Sequence, residues 1–307
     1  MIANFFNKTK PAIVLNLIML FALFYFTSIF SFQSIDISIA SIGLVIGVFL
    51  CFVFMLLLLN FILRKNNLTE DNSYALLITI LLLGSFYETM FGLNIFFSNL
   101  VLLLAFRKIY SIGSGIKTKS KLFDAGFWVG IATLIYSWNF IFLILVYVGL
   151  VVFRKTNIKN VFIPIVGFIT PIIIFFTYQF YFNNLDAFHN VLKLDMSFNF
   201  GAYNALKLLI PITILLALLI WCVVSLSPKV VLVSNNFKFS WKIILMHLLV
   251  SIAIVVVSPI KNGSEMFFLI IPGAIVLANY VEKTASSTFK NLILYLFLVI
   301  SISVYFL

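Results

Sequence analysis

Few side chains in this sequence could do chemistry, and Glu88 has the most to explain. It lies in GSFYETMFGLN (84–94), a polar break inside a long apolar stretch. An ionisable group at such a place is costly, so it either lines a cavity or reaches water at the headgroup level. Asn94 closes the same break. Lys261 and Glu265 open the segment KNGSEMFFLIIPGAIVLANYVEK (261–283). The lysine could hold a lipid phosphate as a point charge, pair with Glu265 one helical turn on, or snorkel to the surface. Asp36 sits in a short turn, QSID, as a solvated carboxylate or the N-cap of the following helix. His247, within an apolar run that holds no acidic residue, reads as a neutral histidine bonded to a neighbouring helix, with a proton relay as the other reading. His189, Asp186 and Asp195 share one loop and read as solvated rather than as metal ligands. No Gly-rich phosphate loop, Ser-His-Asp set or HExxH occurs, and no metal or cofactor is expected. Cys51 and Cys222 both fall in apolar runs and read as small hydrophobes of the packing.

The elements that must position these groups are set by composition. Apolar residues make up 64% of the 307 and charged residues 9%, where a soluble domain carries about a quarter charged. Lipid is the only solvent that can accept so much Leu, Ile and Phe. The net charge of +11 does not point to nucleic acid, because the basic residues sit between apolar runs rather than on one arm or face. They set orientation instead. Of twenty Lys and Arg, all but Lys193, Lys207 and Lys261 fall on one side of the threading, which puts the N-terminus in the cytoplasm and the C-terminus outside. The apolar run 12–32 is too long for a cleaved signal and reads as the first membrane helix.

The expected fold is all-α: one polytopic bundle over 1–307 with about eleven membrane helices. Full spans are expected at 12–32, 37–63, 160–182, 205–226, 242–258, 261–283 and 290–307. Two shorter segments, 74–106 and 122–153, are each too short for two crossings of about 20 residues plus a turn. They read as helical hairpins broken at 84–94 and at Tyr136-Ser137-Trp138-Asn139. Both end alike, AFRK and VFRK, which leaves an internal repeat or simple positive-inside spacing as explanations. Pro164 and Pro171 are expected to kink their helix. The outer loop 183–204 repeats Leu185, Phe188 and Leu192 at helical spacing, an amphipathic interfacial helix. The loop SPKVVLVSNNFKFSWK (227–242) alternates apolar residues like a small β-hairpin.

Two resemblances follow from these stretches. MIANFFNKTKP, LFDAGFWVGIATLIY and LIIPGAIVLANYVE together are similar to a family of uncharacterised Bacteroidota inner-membrane proteins, over most of the chain. The layout, with the late segment KNGSEMFFLIIPGAIVLANY, resembles the GT-C superfamily of polyprenyl-phosphate-sugar glycosyltransferases. That likeness implies a base or metal–sugar ligand at Asp36 or Glu88 and a lysine, Lys261, on the lipid phosphate. The sequence departs from the GT-C pattern in its first outer loop, which shrinks to a few residues around Asp36 with no second carboxylate.

Three functions compete. The first is a non-catalytic or degenerate GT-C-like protein of the bacterial inner membrane. It would bind a polyprenyl-phosphate lipid or partner membrane proteins of a cell-envelope assembly through Lys261, Glu265 and Asn94. The second is a glycosyltransferase with Asp36 or Glu88 as base. The third is a transporter, for which paired short hairpins with polar tips are a pointer.

Overall fold

A computed structural model describes residues 2–32, 38–230 and 235–307. Asp36 lies outside the described residues, as do 33–35, 37 and 231–234. The described chain is helical throughout, in thirteen α-helices: α1 (Ile2–Phe5), α2 (Pro11–Phe32), α3 (Ile39–Lys65), α4 (Tyr74–Ser85), α5 (Leu93–Tyr110), α6 (Thr118–Ile135), α7 (Leu143–Val152), α8 (Ile158–Tyr181), α9 (Leu185–Leu192), α10 (Leu206–Val230), α11 (Asn235–Val257), α12 (Phe267–Lys283) and α13 (Ser287–Ser303). Eight of the described helices, α2, α3, α5, α8, α10, α11, α12 and α13, are long and apolar enough to cross a membrane. The apolar segments Tyr74–Ser85 and Ser137–Val152 are shorter.

The expected hairpins are lopsided. α4 has 12 residues and α5 has 18, because α5 runs a turn past the apolar limit at Phe106 and carries Arg107 and Lys108 in its last turn. Cations there complement the helix dipole, so a stop in hydropathy is not a stop in helix. In the second hairpin α6 has 18 residues and α7 only 10, separated by a 3₁₀ turn over Ser137–Phe142. The polar breaks fall where expected, at 86–92 and from Tyr136. The β-hairpin expected at 227–242 is not formed in its described residues: α10 runs on to Val230 and α11 starts at Asn235. Several short polar side chains inside apolar helices bond back to their own helix. Thr79, Ser85 and Thr133 each donate to the carbonyl four residues back, at 2.8, 2.9 and 2.8 Å.

The chain divides into two compact units. One takes in Met1–Phe91, Phe200–Lys229 and Asn262–Leu307; the other takes in Gly92–Asn199 and Val230–Lys261. The first boundary cuts the 74–106 segment between its arms, so α4 and α5 belong to different units.

In the first unit α4 packs against α2, α12 and α13 and is buried along its whole length. α12 runs unbroken through Pro272 with Phe267 to Asn279 all buried. Three hydrogen bonds tie one end of this unit, two of them through backbone atoms. Ala3 N–H donates to Asn291 Oδ1 at 2.9 Å, Tyr74 hydroxyl to the Ala3 carbonyl at 2.9 Å, and Asn72 to Glu282 at 2.8 Å. The other end carries a run of rings: Tyr87 stacks on Phe32 at 4.1 Å and lies 5.6 Å from Tyr305, whose hydroxyl meets Ser28 Oγ at 2.6 Å.

In the second unit α6 and α8 cross at backbone distance. A Cβ at Gly126 would overlap the Pro164 carbonyl, one at Gly130 would lie 2.5 Å from the Phe168 carbonyl oxygen, and one at Gly167 would overlap the Phe123 carbonyl. Without hydrophobic drive between helices in lipid, such close van der Waals contact is what holds them together. Pro164 and Pro171 lie buried inside an uninterrupted α8. α9 forms within the 183–204 loop, and its Phe188 ring packs 5.2 Å from Phe176 of α8.

Candidate functional site

The polar centre of the first unit forms where the 3₁₀ turn Tyr87–Met90 meets the turn Ser264–Met266. The break in helix at 86–92 turns Glu88 inward instead of leaving it on a lipid-facing surface. Glu88 Oε1 lies 3.0 Å from Lys207 Nζ, with the Glu88 side chain 10% and the Lys207 side chain 37% exposed. Lys207 stands in the first turn of α10, and its Nζ also donates to the Tyr87 hydroxyl at 2.9 Å and sits 5.2 Å over the Tyr87 ring. The stack of Tyr87 on Phe32 fixes the ring that receives this cation.

Gly263 brings a second carboxylate close by. Its φ of +101° is one that favours glycine, and a Cβ there would fall 3.1 Å from Glu88 Oε2 and 2.8 Å from Leu208 Cδ2. The Gly263 N–H donates to Glu265 Oε2 at 3.0 Å, while Tyr203 hydroxyl donates to Glu265 Oε1. Glu265 is fully buried. Among the described residues no well-formed hydrogen bond reaches either Glu88 oxygen, and its charge is balanced by Lys207 through the ion pair. A buried carboxylate held in that way retains lone pairs for another donor.

Of the residues picked out from sequence, Glu88 and Glu265 are brought together here, flanking Gly263. Lys261 and Asn94 belong to the other unit. Lys261 is nearly buried, and its ammonium donates to the carbonyls of Val255 and, at 2.8 Å, Val256, at the C-terminal end of α11. That is the position at which a cation satisfies the last carbonyls of a helix. Asn94 is exposed in the first turn of α5. His247 is buried, with its Nδ1 3.0 Å from the Tyr110 hydroxyl and its ring 4.1 Å from that of Phe106. Among the described residues no three His, Cys, Asp or Glu are grouped to hold a metal ion. Cys51 and Cys222 are free thiols.

Lys207, Tyr87 and Tyr203 are the members of the centre that sequence reasoning passed over. One signal pointed to Lys207: a carboxylate in an apolar stretch needs a cation, and the threading expected from sequence leaves only three on the side of Glu88.

A family model covers residues 6–307 of the chain, that of a family of unknown function, DUF6427. The chain belongs to DUF6427. The match takes in all the helices from α2 to α13, and with them every residue of the polar centre. This DUF6427 chain matches no curated protein and no solved structure.

Proposed function

We propose that this DUF6427 protein is a multi-pass protein of the bacterial inner membrane that holds the phosphate of a polyprenyl-phosphate lipid without transforming it, as a component of a cell-envelope assembly. Its N-terminus is cytoplasmic and its C-terminus periplasmic in this reading. The eight long helices, the two shorter apolar ones and α6 would make up eleven membrane helices of GT-C-like layout. One observation carries the functional reading: the ammonium of Lys207, whose side chain is 37% exposed, is seated between a buried carboxylate and a tyrosine hydroxyl. Glu88 and the Tyr87 hydroxyl set the lysine's position, so an arriving phosphate meets an oriented point charge. Since the Glu88 carboxylate is engaged by the lysine, it is poorly disposed to act as a base, which favours binding over turnover.

A glycosyltransferase is the second reading, favoured by the presence of a buried carboxylate, Glu88, beside the lysine that would meet the phosphate. The test uses the full chain in nanodiscs, with undecaprenyl phosphate as the probe and native mass spectrometry as the readout. The wild type is expected to retain the lipid and Lys207→Gln to lose it. Retention by Lys207→Gln equal to wild type overturns the binding site. Sugar transfer by wild type that disappears in Glu88→Gln would establish the enzyme instead.

A further inference from the structure

At the end of the first unit remote from Lys207, a notch opens between α1 and the first turn of α2. Both walls are fixed. Ala3 and Phe6 are buried, the Ala3 N–H and carbonyl are bonded to Asn291 and Tyr74, and the Phe6 carbonyl accepts from Ser73 N–H at 3.0 Å. The chain then passes Lys8 and Lys10 and enters α2 at Pro11, with the Lys10 carbonyl accepting from the N–H groups of Ile13 and Val14 at 2.9 and 3.1 Å. Between these walls lies a cleft of about 460 Å³. Asn7, Asn16, Lys8 and Lys10 give it donors, and Phe5 and Ala12 give it apolar walls.

Both lysines line the cleft, beside the positive end of the α2 dipole. From the lining residues Ala12 and Asn16 a stripe continues along α2 at helical spacing through Met19 and Leu23, which are 58% and 66% exposed. An anionic head above a bare apolar track is the complement of a membrane phospholipid, and a soluble anion would have no use for the track. We infer that this notch binds an anionic diacyl phospholipid of the surrounding leaflet, with its phosphate between Lys8 and Lys10 and an acyl chain along Met19 and Leu23. This site is independent of the polyprenyl-phosphate reading, because its residues lie at the opposite end of the unit.

The experiment uses the full-length protein in nanodiscs of phosphatidylcholine doped with phosphatidylglycerol, and native mass spectrometry counts retained lipid. Wild type is expected to retain phosphatidylglycerol over phosphatidylcholine by about tenfold or more, the scale of two lysines beside an anionic surface. Lys8→Gln with Lys10→Gln should abolish the preference, and Lys8→Arg with Lys10→Arg should keep it. Arg64→Gln with Lys65→Gln, on the neighbouring helix end, should also keep it. The site is overturned if wild type shows no preference, if the Lys8/Lys10 glutamine pair retains it, or if the Arg64/Lys65 variant loses as much. Retention of undecaprenyl phosphate is expected to be unchanged by the Lys8 and Lys10 changes, which separates failure here from failure at Lys207.

Discussion

Glu88 and Lys207, far apart in the chain, meet at 3.0 Å with the carboxylate largely buried and the ammonium partly in solvent. This asymmetry sets the expected cost of breaking the pair. Removing one partner of a fully buried pair costs about 3–5 kcal/mol, and an exposed pair is worth under about 1 kcal/mol. Lys207→Gln is therefore expected to destabilise the protein by about 1–3 kcal/mol, within that bracket. Glu88→Gln should cost less, since the freed lysine can reach water. A double-mutant cycle read by thermal unfolding in detergent checks the coupling, and strict additivity of the two changes would show that the pair is idle.

Gly263→Ala tests the contact between the two turns. The substitution combines a strained φ with an approach of 2.8 Å to Leu208 and 3.1 Å to the Glu88 carboxylate. A loss of about 1–3 kcal/mol is expected, together with weaker retention of undecaprenyl phosphate as Glu88 is displaced. Unchanged melting and retention would mean that the turns yield freely.

Lys261→Met separates two roles for that lysine. If it serves to cap α11, the change lowers the melting temperature through a loss of about 1–2 kcal/mol and leaves lipid retention at the wild-type level. Loss of undecaprenyl phosphate with an unchanged melt would instead restore the phosphate role that the GT-C resemblance implies.

The α6–α8 contact predicts opposite outcomes for alanine at different glycines. Gly126→Ala and Gly130→Ala must push two backbones apart and are expected to cost about 1–3 kcal/mol each. Gly47 of α3 has nothing within 4 Å of where its Cβ would go. Gly47→Ala should be neutral or stabilise by up to about 1 kcal/mol, from helix propensity alone. Equal melting of the three variants would contradict the described packing.

The proposed orientation is checked with single cysteines in a background lacking Cys51 and Cys222. A membrane-impermeant maleimide added to spheroplasts should label Lys193→Cys and spare Lys65→Cys. The reverse pattern would invert the topology.

The sequence was most readable where lipid imposes the rule. Apolar length and flanking charge located α2, α3, α8 and α10 to α13 to within a few residues at most ends, because every backbone group must bond within its own helix there. Charge misled at Lys108 and Lys119, where basic residues inside helical turns were taken for loop and the long arms α5 and α6 were cut short. It misled again at 227–242, where an alternation of apolar residues on helix ends has the same pattern as a strand. The polar centre was half legible. Glu88 stood out by its cost, but its partner comes from a helix that begins far downstream, and no spacing within one element encodes that contact. The α6–α8 crossing was legible and passed over: Gly126 and Gly130 stand four apart in LFDAGFWVGIATLIY, the small-residue pattern of close membrane helices.

The interleaving of the two units in sequence has a consequence for how the protein is made. α4 reaches the membrane early, yet the helix that encloses it, α12, is translated only after the other unit's two segments have been laid down. Until then α4, at 12 residues too short to span the bilayer alone, has no permanent neighbour on that side. In that interval α2 and α3 are the helices of its own unit on hand to hold α4, and a chain cut short before Asn262 is expected to be degraded faster than the full chain.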